Sequence, residues 1–435
     1  MATQIEDARN NIITLEMKAV AGAEGLSPEY IREKVATGQI VIPNNKNRKG
    51  KIVGIGKGLR TKVNASIGTS SDICDIGEEC RKAQAAEEEG ADTLMELSAG
   101  GDLNLVRREV LKSTQLPVGT VPLYQAFCEA SKKYGDPNRL TEEMLFDVIE
   151  QQLADGIAFM AIHCGINLYT IERLRKQGYR YGGLVSKGGS TMVGWMIANG
   201  RENPLYEKFD RVVELMKKYD AVLSLGNGLR AGAIHDSSDR AQVQELLINC
   251  ELAEIGQDMG CQMMVEGPGH IPLDEIEANI ILQKRMSNDA PYYMLGPLPT
   301  DIGAGYDHIT AAIGAASSAR FGADLICYIT PAEHLALPNE ADVREGVRAT
   351  RLAAHIGDVS KYPERRGREM EMSKARRDRR WDEQFDLALF SDAARKVRDS
   401  RTPEKDDTCT MCGSFCALDN GNQHFVEELK NGLKG

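Results

Sequence analysis

From about residue 60 to residue 335 the chain repeats one pattern: a short β-prone run, a Gly or polar turn, then a longer stretch with helical spacing. The β-prone runs are VNASIG (63–68), DTLMELS (92–98), VGTVPLY (118–124), FMAIHCG (159–165), GGLVSKG (182–188), AVLSLGN (221–227), QMMVEG (262–267), YYMLGPL (292–298) and LICYIT (325–330). Strands that alternate with helices pair in parallel, with the helices covering them. Eight or nine such units in one run predict an α/β fold, a (β/α)₈ TIM-type barrel, rather than a doubly wound sheet. The first strand is not followed by GxGxxG, which removes the usual dinucleotide fingerprint.

The polar residues sharpen this reading. Ser66, Tyr124, His163, Ser186, Lys187, Asn227, Arg230, Glu266, His270 and His334 each fall at the end of a β-prone run or in the residues just after it. A barrel builds its active site from those ends, so the pattern points to an enzyme rather than a binding module. Four segments are expected: an N-terminal extension (1–60), the catalytic barrel (61–340), a charged helical region (341–402), and a cysteine loop with its tail (403–435). Three helices are read after residue 340, one of them REMEMSKARRDRRWDEQFDLAL.

The string CTMCGSFC packs Cys409, Cys412 and Cys416, three of the chain's ten cysteines, into eight positions. Three thiolates on one tight loop can hold a [4Fe–4S] cluster and leave its fourth iron open, whereas a closed electron-transfer cluster takes four cysteines. The expected ligand of an open iron is S-adenosylmethionine, whose reductive cleavage yields an adenosyl radical. A zinc knuckle completed by His424, or a disulfide with a spare thiol, is the competing use of these residues. The disulfide is the weakest. MATQIEDARN is not an apolar leader and no apolar run approaches the ~20 residues of a membrane span, so a cytoplasmic protein with reduced thiols is expected. Cys74, Cys80, Cys128, Cys250, Cys261 and Cys327 read as core fillers.

A net charge of −11 argues against a nucleic acid or an anionic membrane as the main partner, because phosphate polymers require clustered Lys and Arg. The one dense basic run, KARRDRRWDEQ from Lys374, alternates with acids and reads as a salt-bridged surface or subunit contact. Within the barrel, EGPGHIP (266–272) sets a carboxylate and an imidazole around a rigid turn. His270 and His334 are either a Zn²⁺ or Fe²⁺ ligand pair or hydrogen-bonded histidines. SKGGS (186–190) offers backbone N–H groups, hydroxyls and an ammonium to a phosphate monoester, or is an ordinary tight turn. Arg230 in GNGLRAG suits a phosphate or carboxylate, and His163 and Tyr124 suit proton transfer to a ring substrate.

Taken together, GTVPLYQAF, LVSKGGS, SLGNGLR, EGPGHIPLDEI, LGPLPTDIGAGYDHITAAIGAA, YITPAEHLALPN and SKARRDRRWDEQFDLAL closely resemble the phosphomethylpyrimidine synthase family, radical enzymes of thiamin biosynthesis. The resemblance runs from about residue 40 to the cysteine loop. It implies a (β/α)₈ barrel that rearranges 5-aminoimidazole ribotide with S-adenosylmethionine and a [4Fe–4S] cluster. It further implies a homodimer whose cysteine loop closes the neighbouring active site, and an electron donor. By the same resemblance His270 and His334 are metal ligands. Ser66, Met95, Tyr124, His163, Ser186, Lys187, Gly188, Asn227, Arg230, Glu266 and Tyr293 take substrate positions, with His163, Tyr124, Glu266 and Tyr293 as catalytic candidates.

The departures from the family pattern are chemical. Ser66 replaces the second Asn of NANIG, Lys187 the Arg of SRGG, Asn227 the Asp of DGLR and Cys164 the Ala of HAG, while three residues rather than four separate Cys412 from Cys416. Arg to Lys replaces a planar fork with a point charge, and Asp to Asn removes a base. This pattern resembles the paralogous branch of 5-hydroxybenzimidazole synthases, which make the lower-ligand base of cobalamin anaerobically, with release of formate and phosphate. The alternatives are a divergent pyrimidine synthase and, more distantly, a non-catalytic metal-binding barrel.

Overall fold

Eight of the nine β-prone runs pair in parallel and close on themselves. The structure is a computed structural model, and it describes residues 2–401, 403, 408–420, 424–426 and 428–429. A short antiparallel hairpin, β1 (Ile40–Val41) and β2 (Ile55–Gly56), precedes the barrel. The barrel strands are β3 (Lys62–Ile67), β4 (Thr93–Glu96), β5 (Val118–Thr120), β6 (Phe159–Ile162), β7 (Val222–Leu225), β8 (Met263–Glu266), β9 (Tyr292–Met294) and β10 (Leu325–Cys327). Each pairs with its sequence neighbour, and β10 returns to β3 in the register Leu325↔Lys62. The (β/α)₈ expectation is met.

The ninth run, GGLVSKG, is not a strand. Gly183 turns the backbone at φ +66°, and Ser186 caps the helix Lys187–Asn199, its Oγ accepting the Gly189 N–H at 3.0 Å. A serine N-cap three residues before a free N–H outweighs the β preference of Leu184 and Val185. The other runs also end as strands earlier than read; in VGTVPLY, for example, the strand stops at Thr120 and Pro122 opens the helix Pro122–Tyr134.

The barrel interior is packed in large–small alternation. A side chain at Gly119 would reach within 2.4 Å of the Phe159 ring and 2.6 Å of the Met95 sulfur, so β5 must carry glycine there. The N-terminal residues cover the opposite end of the barrel. They form three short helices and the hairpin around a small core that includes Met17, Ile31, Val35 and Ile42. They are fastened to the starts of β7 and β8: the Thr3 hydroxyl donates to Gly260 O at 2.7 Å, Gln4 N–H to Asp220 Oδ1 at 3.1 Å, and Ile42 N–H to Gln262 Oε1 at 2.7 Å.

By compactness the chain divides into residues 1–361 and 362–435. The helix Glu340–Lys361 belongs to the first unit, where Asp358 accepts the Thr61 N–H at 2.8 Å and its hydroxyl at 2.7 Å. In the second unit, the single helix read for REMEMSKARRDRRWDEQFDLAL is two, Gly367–Arg377 and Trp381–Leu387, separated where Arg379 takes φ +55°. Its basic run is salt-bridged: Lys374 to Glu371 at 2.8 Å, Arg377 to Asp378 at 2.6 Å and Arg380 to Glu383 at 2.6 Å. Among the described residues no helix is long and apolar enough to cross a membrane.

Candidate active site

The C-terminal ends of the barrel strands open into a cavity of about 840 Å³. Ser66, Met95, Tyr124, His163, Arg230, Glu266, Tyr293, His270 and His334 line it. Behind this wall lie Ser186, Gly188 and Asn227. Lys187 faces an adjoining cavity of about 550 Å³ that shares Ser66 with the first.

His163 sits in a glycine cage. A Cβ at Gly188 would come within 2.3 Å of its ring, at Gly226 within 2.9 Å and at Gly228 within 3.0 Å. Those contacts restrict positions 188, 226 and 228 to glycine, while a Cβ at Gly189 would come within 2.0 Å of Gly228 O. Burial, with the Arg230 charge added, drives the imidazole's pKa down to about 3, so the ring is neutral at physiological pH. Its Nε2 lies 3.3 Å from the Ser186 hydroxyl, while Nδ1 is buried without a hydrogen-bond partner among the described residues. A buried ring nitrogen of this kind calls for a ligand.

Glu266, at the end of β8, accepts the Ser224 hydroxyl at 3.1 Å and the Asn227 N–H at 3.3 Å. Burial raises its pKa, and Arg230 and those two bonds only partly offset it. Such a carboxyl can hold a proton nearer neutral pH than a free one. Burial likewise raises the pKa of Tyr124 and pushes that of Tyr293 well up, so both phenols are hydrogen-bond donors rather than phenolates. The Lys187 ammonium lies 4.6 Å from the centre of the Tyr124 ring, and its burial lowers its pKa.

The loop that presents Asn227 and Arg230 is held from behind by one face of the helix Arg240–Asp258. Three buried side chains at helical spacing make the contacts. Gln242 Oε1 accepts the Ala231 N–H at 3.0 Å, and the two Glu245 oxygens accept Gly228 N–H at 2.8 Å and Leu229 N–H at 2.7 Å. Asn249 Nδ2 donates to Gly226 O at 3.1 Å. Arg230 then bonds Asn227 O at 3.1 Å, and the Asn227 side-chain oxygen is buried without a partner among the described residues.

Across the cavity the His270 and His334 rings stack, with centroids 5.3 Å apart and planes at 29°. His334 is held at φ +61°, a conformation disfavoured for a residue with a Cβ and typical of functional sites. Asp301 Oδ1 is 2.7 Å from His270 Nδ1, leaving Nε2 to face a ligand, and Asp307 is 3.7 Å from His334 Nδ1. Imidazoles backed by carboxylates are the usual donors to Zn²⁺ or Fe²⁺, so these residues fit such an ion. Among the described residues no three His, Cys, Asp or Glu side chains form a ready metal cage, so any ion here would keep open positions.

The cysteine loop belongs to the second unit and is tightly turned. Gly413 N–H donates to Cys409 O and Phe415 N–H to Cys412 O, both at 3.0 Å, with Gly413 at φ +53°. Backbone N–H groups of Met411 and Cys412 point at the Cys409 sulfur and lower its pKa, which favours the thiolate that iron requires. These residues fit an iron–sulfur cluster.

Three cysteine expectations are corrected. Cys74 is exposed just before a helix start, Cys327 lines the cavity, and the half-buried Cys128 lines the adjoining one. Cys327 Sγ lies 3.2 Å from the Ser66 hydroxyl and receives Asn64 Nδ2 at 3.5 Å, and burial keeps it a thiol. Its signal was present in the sequence, as the last residue of a strand. Asp301, Glu245 and Glu333, which lines the cavity with Oε1 4.0 Å from His334 Nε2, carried no such signal. Cys164 is fully buried and does not line the cavity.

Residues 3–423 match the model of the radical SAM ThiC family. The chain belongs to this family. Among its ThiC-family relatives, 5-hydroxybenzimidazole synthase of Geobacter sulfurreducens is 73% identical over 431 residues, 99% of each chain. The protein of the same name from Desulforapulum autotrophicum is 70% identical over 432 residues, 99% of this chain and 98% of the relative. Phosphomethylpyrimidine synthase 1 of Methanosarcina barkeri is 57% identical over 424 residues, 97% of this chain and 99% of the relative. Membership in this radical SAM family brings with it a [4Fe–4S] cluster and S-adenosylmethionine.

Proposed function

We propose that the chain is a radical S-adenosylmethionine lyase that converts 5-aminoimidazole ribotide to 5-hydroxybenzimidazole, releasing formate and phosphate, for the lower ligand of cobalamin. The observation that carries the choice of product is the identity gap: 73% to a 5-hydroxybenzimidazole synthase against 57% to a phosphomethylpyrimidine synthase, both over nearly the whole chain.

Cys409, Cys412 and Cys416 would hold the cluster, which when bound supplies the electron that splits S-adenosylmethionine into methionine and an adenosyl radical. His270 and His334 would hold Zn²⁺ or Fe²⁺, a Lewis acid with positions left for the ribotide or the amino-acid end of S-adenosylmethionine. The chain's own groups do the rest. Ser186, Lys187 and Gly188 take the ribotide phosphate at a helix N-terminus. Ser66, Met95, Asn227 and Arg230 orient the ring and ribose. Glu266 carries a proton, the neutral His163 accepts a hydrogen bond or a proton at a ring nitrogen, and Tyr124 and Tyr293 donate from their hydroxyls.

The barrel of residues 61–340 supplies this pocket, the 403–435 segment supplies the cluster, and residues 1–60 and 341–402 support them. The enzyme works as a cytoplasmic homodimer in which the cysteine loop closes the neighbouring pocket, and it draws its electron from a separate donor. The test is an anaerobic reaction of the reconstituted enzyme with 5-aminoimidazole ribotide, S-adenosylmethionine and dithionite, the heterocycle being identified by mass and fluorescence. 5-Hydroxybenzimidazole is expected, and hydroxymethylpyrimidine phosphate would overturn the reading. Replacing Cys409, Cys412 or Cys416 by Ala should abolish both the cluster's visible absorbance and S-adenosylmethionine cleavage; retention of cleavage would remove the loop from the mechanism.

A further inference from the structure

Asp301 divides its two carboxylate oxygens between two parts of the barrel mouth. Oδ1 lies 2.7 Å from His270 Nδ1, and Oδ2 accepts the backbone N–H of Ile234 at 2.9 Å. Ile234 opens the short turn Ile234–Asp236, which continues the loop that presents Asn227 and Arg230. The same turn is fixed at its other end by Asp236, whose oxygens accept Tyr181 N–H at 3.0 Å and Gly182 N–H at 2.7 Å. Asp301 also lines the cavity. One carboxylate therefore touches a candidate metal ligand and the scaffold of a candidate substrate loop at once.

We propose that Asp301 is a positioning residue that braces the His270 imidazole against the 227–236 loop, so that the metal and the ribotide are held by one shared support. The inference rests on His270 and His334 being metal ligands. A carboxylate on Nδ1 fixes the tautomer with the proton there, aims the Nε2 lone pair and increases its basicity. Its second oxygen fixes the loop by a bond to a charged acceptor, stronger than one to a neutral group. An asparagine at this position has one acceptor oxygen, so it can satisfy His270 or Ile234 but not both. Because both ligands stabilise the same braced arrangement, each should tighten the other's binding by the same factor.

The experiment uses the full-length protein with its [4Fe–4S] cluster loaded and kept anaerobic, so that the cysteine thiolates are not free to take Zn²⁺, and its Asp301→Asn and His270→Ala variants. Zn²⁺ affinity is measured by competition with a chelator, with and without 5-aminoimidazole ribotide, and ribotide affinity with and without Zn²⁺. In the wild type each ligand should strengthen the other. Asp301→Asn should weaken Zn²⁺ by about 10- to 100-fold, the usual effect of removing a carboxylate behind a ligating histidine. It should also remove the mutual strengthening. Wild-type Zn²⁺ affinity in Asp301→Asn, with loss in His270→Ala, would overturn the proposal, as would weakened Zn²⁺ binding with the mutual strengthening intact. Wild-type Zn²⁺ affinity in His270→Ala would instead refute the ligand assignment. Should Asp301→Asn fail to fold, Asp301→Glu, which keeps the charge but displaces it, is read the same way, with a smaller loss expected.

Discussion

Replacing Glu245 should loosen the substrate loop without touching the substrate. In Glu245→Ala two buried N–H groups, those of Gly228 and Leu229, lose acceptors now at 2.8 and 2.7 Å. Each stranded donor costs about 1–3 kcal/mol, so the variant should lose about 2–6 kcal/mol before any relaxation. Glu245→Gln keeps the volume and one acceptor oxygen, strands one donor and should lose about 1–3 kcal/mol. Arg230 rides on the freed loop. If its charged hydrogen bond to the ribotide is lost, about 1.5–3 kcal/mol of binding disappears, or roughly 10- to 100-fold in KM. Urea midpoints should fall in the order wild type, Gln, Ala, and anaerobic steady-state assays should show KM rising in the same order. A Gln variant with wild-type midpoint and KM would refute the reasoning, because it would mean that the carboxylate does not hold both N–H groups.

Gly188→Ala places a methyl 2.3 Å from the His163 ring, so the ring must tilt. Overpacking of this kind costs about 1–3 kcal/mol, and a displaced imidazole should lower kcat more than it raises KM; unchanged kinetics would show that the ring's position is unimportant. Asp220, buried beneath the N-terminal residues, has its pKa raised to about 7 by burial. Between the unfolded carboxylate value near 4 and about 7 the native state binds the extra proton, so this group's contribution to stability falls as pH rises through that window. Asp220→Asn keeps an acceptor for Gln4 N–H, and the residue's φ of +55° suits Asn. Its urea midpoint should exceed that of wild type at pH 8 and converge with it at pH 4; no gain at pH 8 would show that the wild-type carboxylate is not strained by burial.

The barrel was legible because β/α alternation and strand-end polarity are local properties of the sequence. GGLVSKG misled for a local reason as well: a serine cap competes with β-branched preference, and runs of four residues do not reveal which wins. Cys327 was misassigned because a thiol at a strand end looks the same whether it faces packed helices or the barrel mouth. Asp301 and Glu245 stayed silent because their work is done on backbone N–H groups far along the chain, and a hydrogen bond from Gly228 to a helix seventeen residues on leaves no mark in composition. The family resemblance named most of the cavity's polar residues, whereas Cys327, Asp301 and Glu333, which also line it, came only from the structure.

The closure of β10 onto β3 has a consequence for how the enzyme is made. Ser66 and Cys327 touch across that seam although 261 residues separate them. A chain still emerging from the ribosome has no pocket until the last strand is out, and until then β3 and β9 are open edges. Synthesis therefore cannot bring Ser66 and Cys327 together in the cavity wall before β10 has emerged, and the pocket is completed only by the last barrel strand.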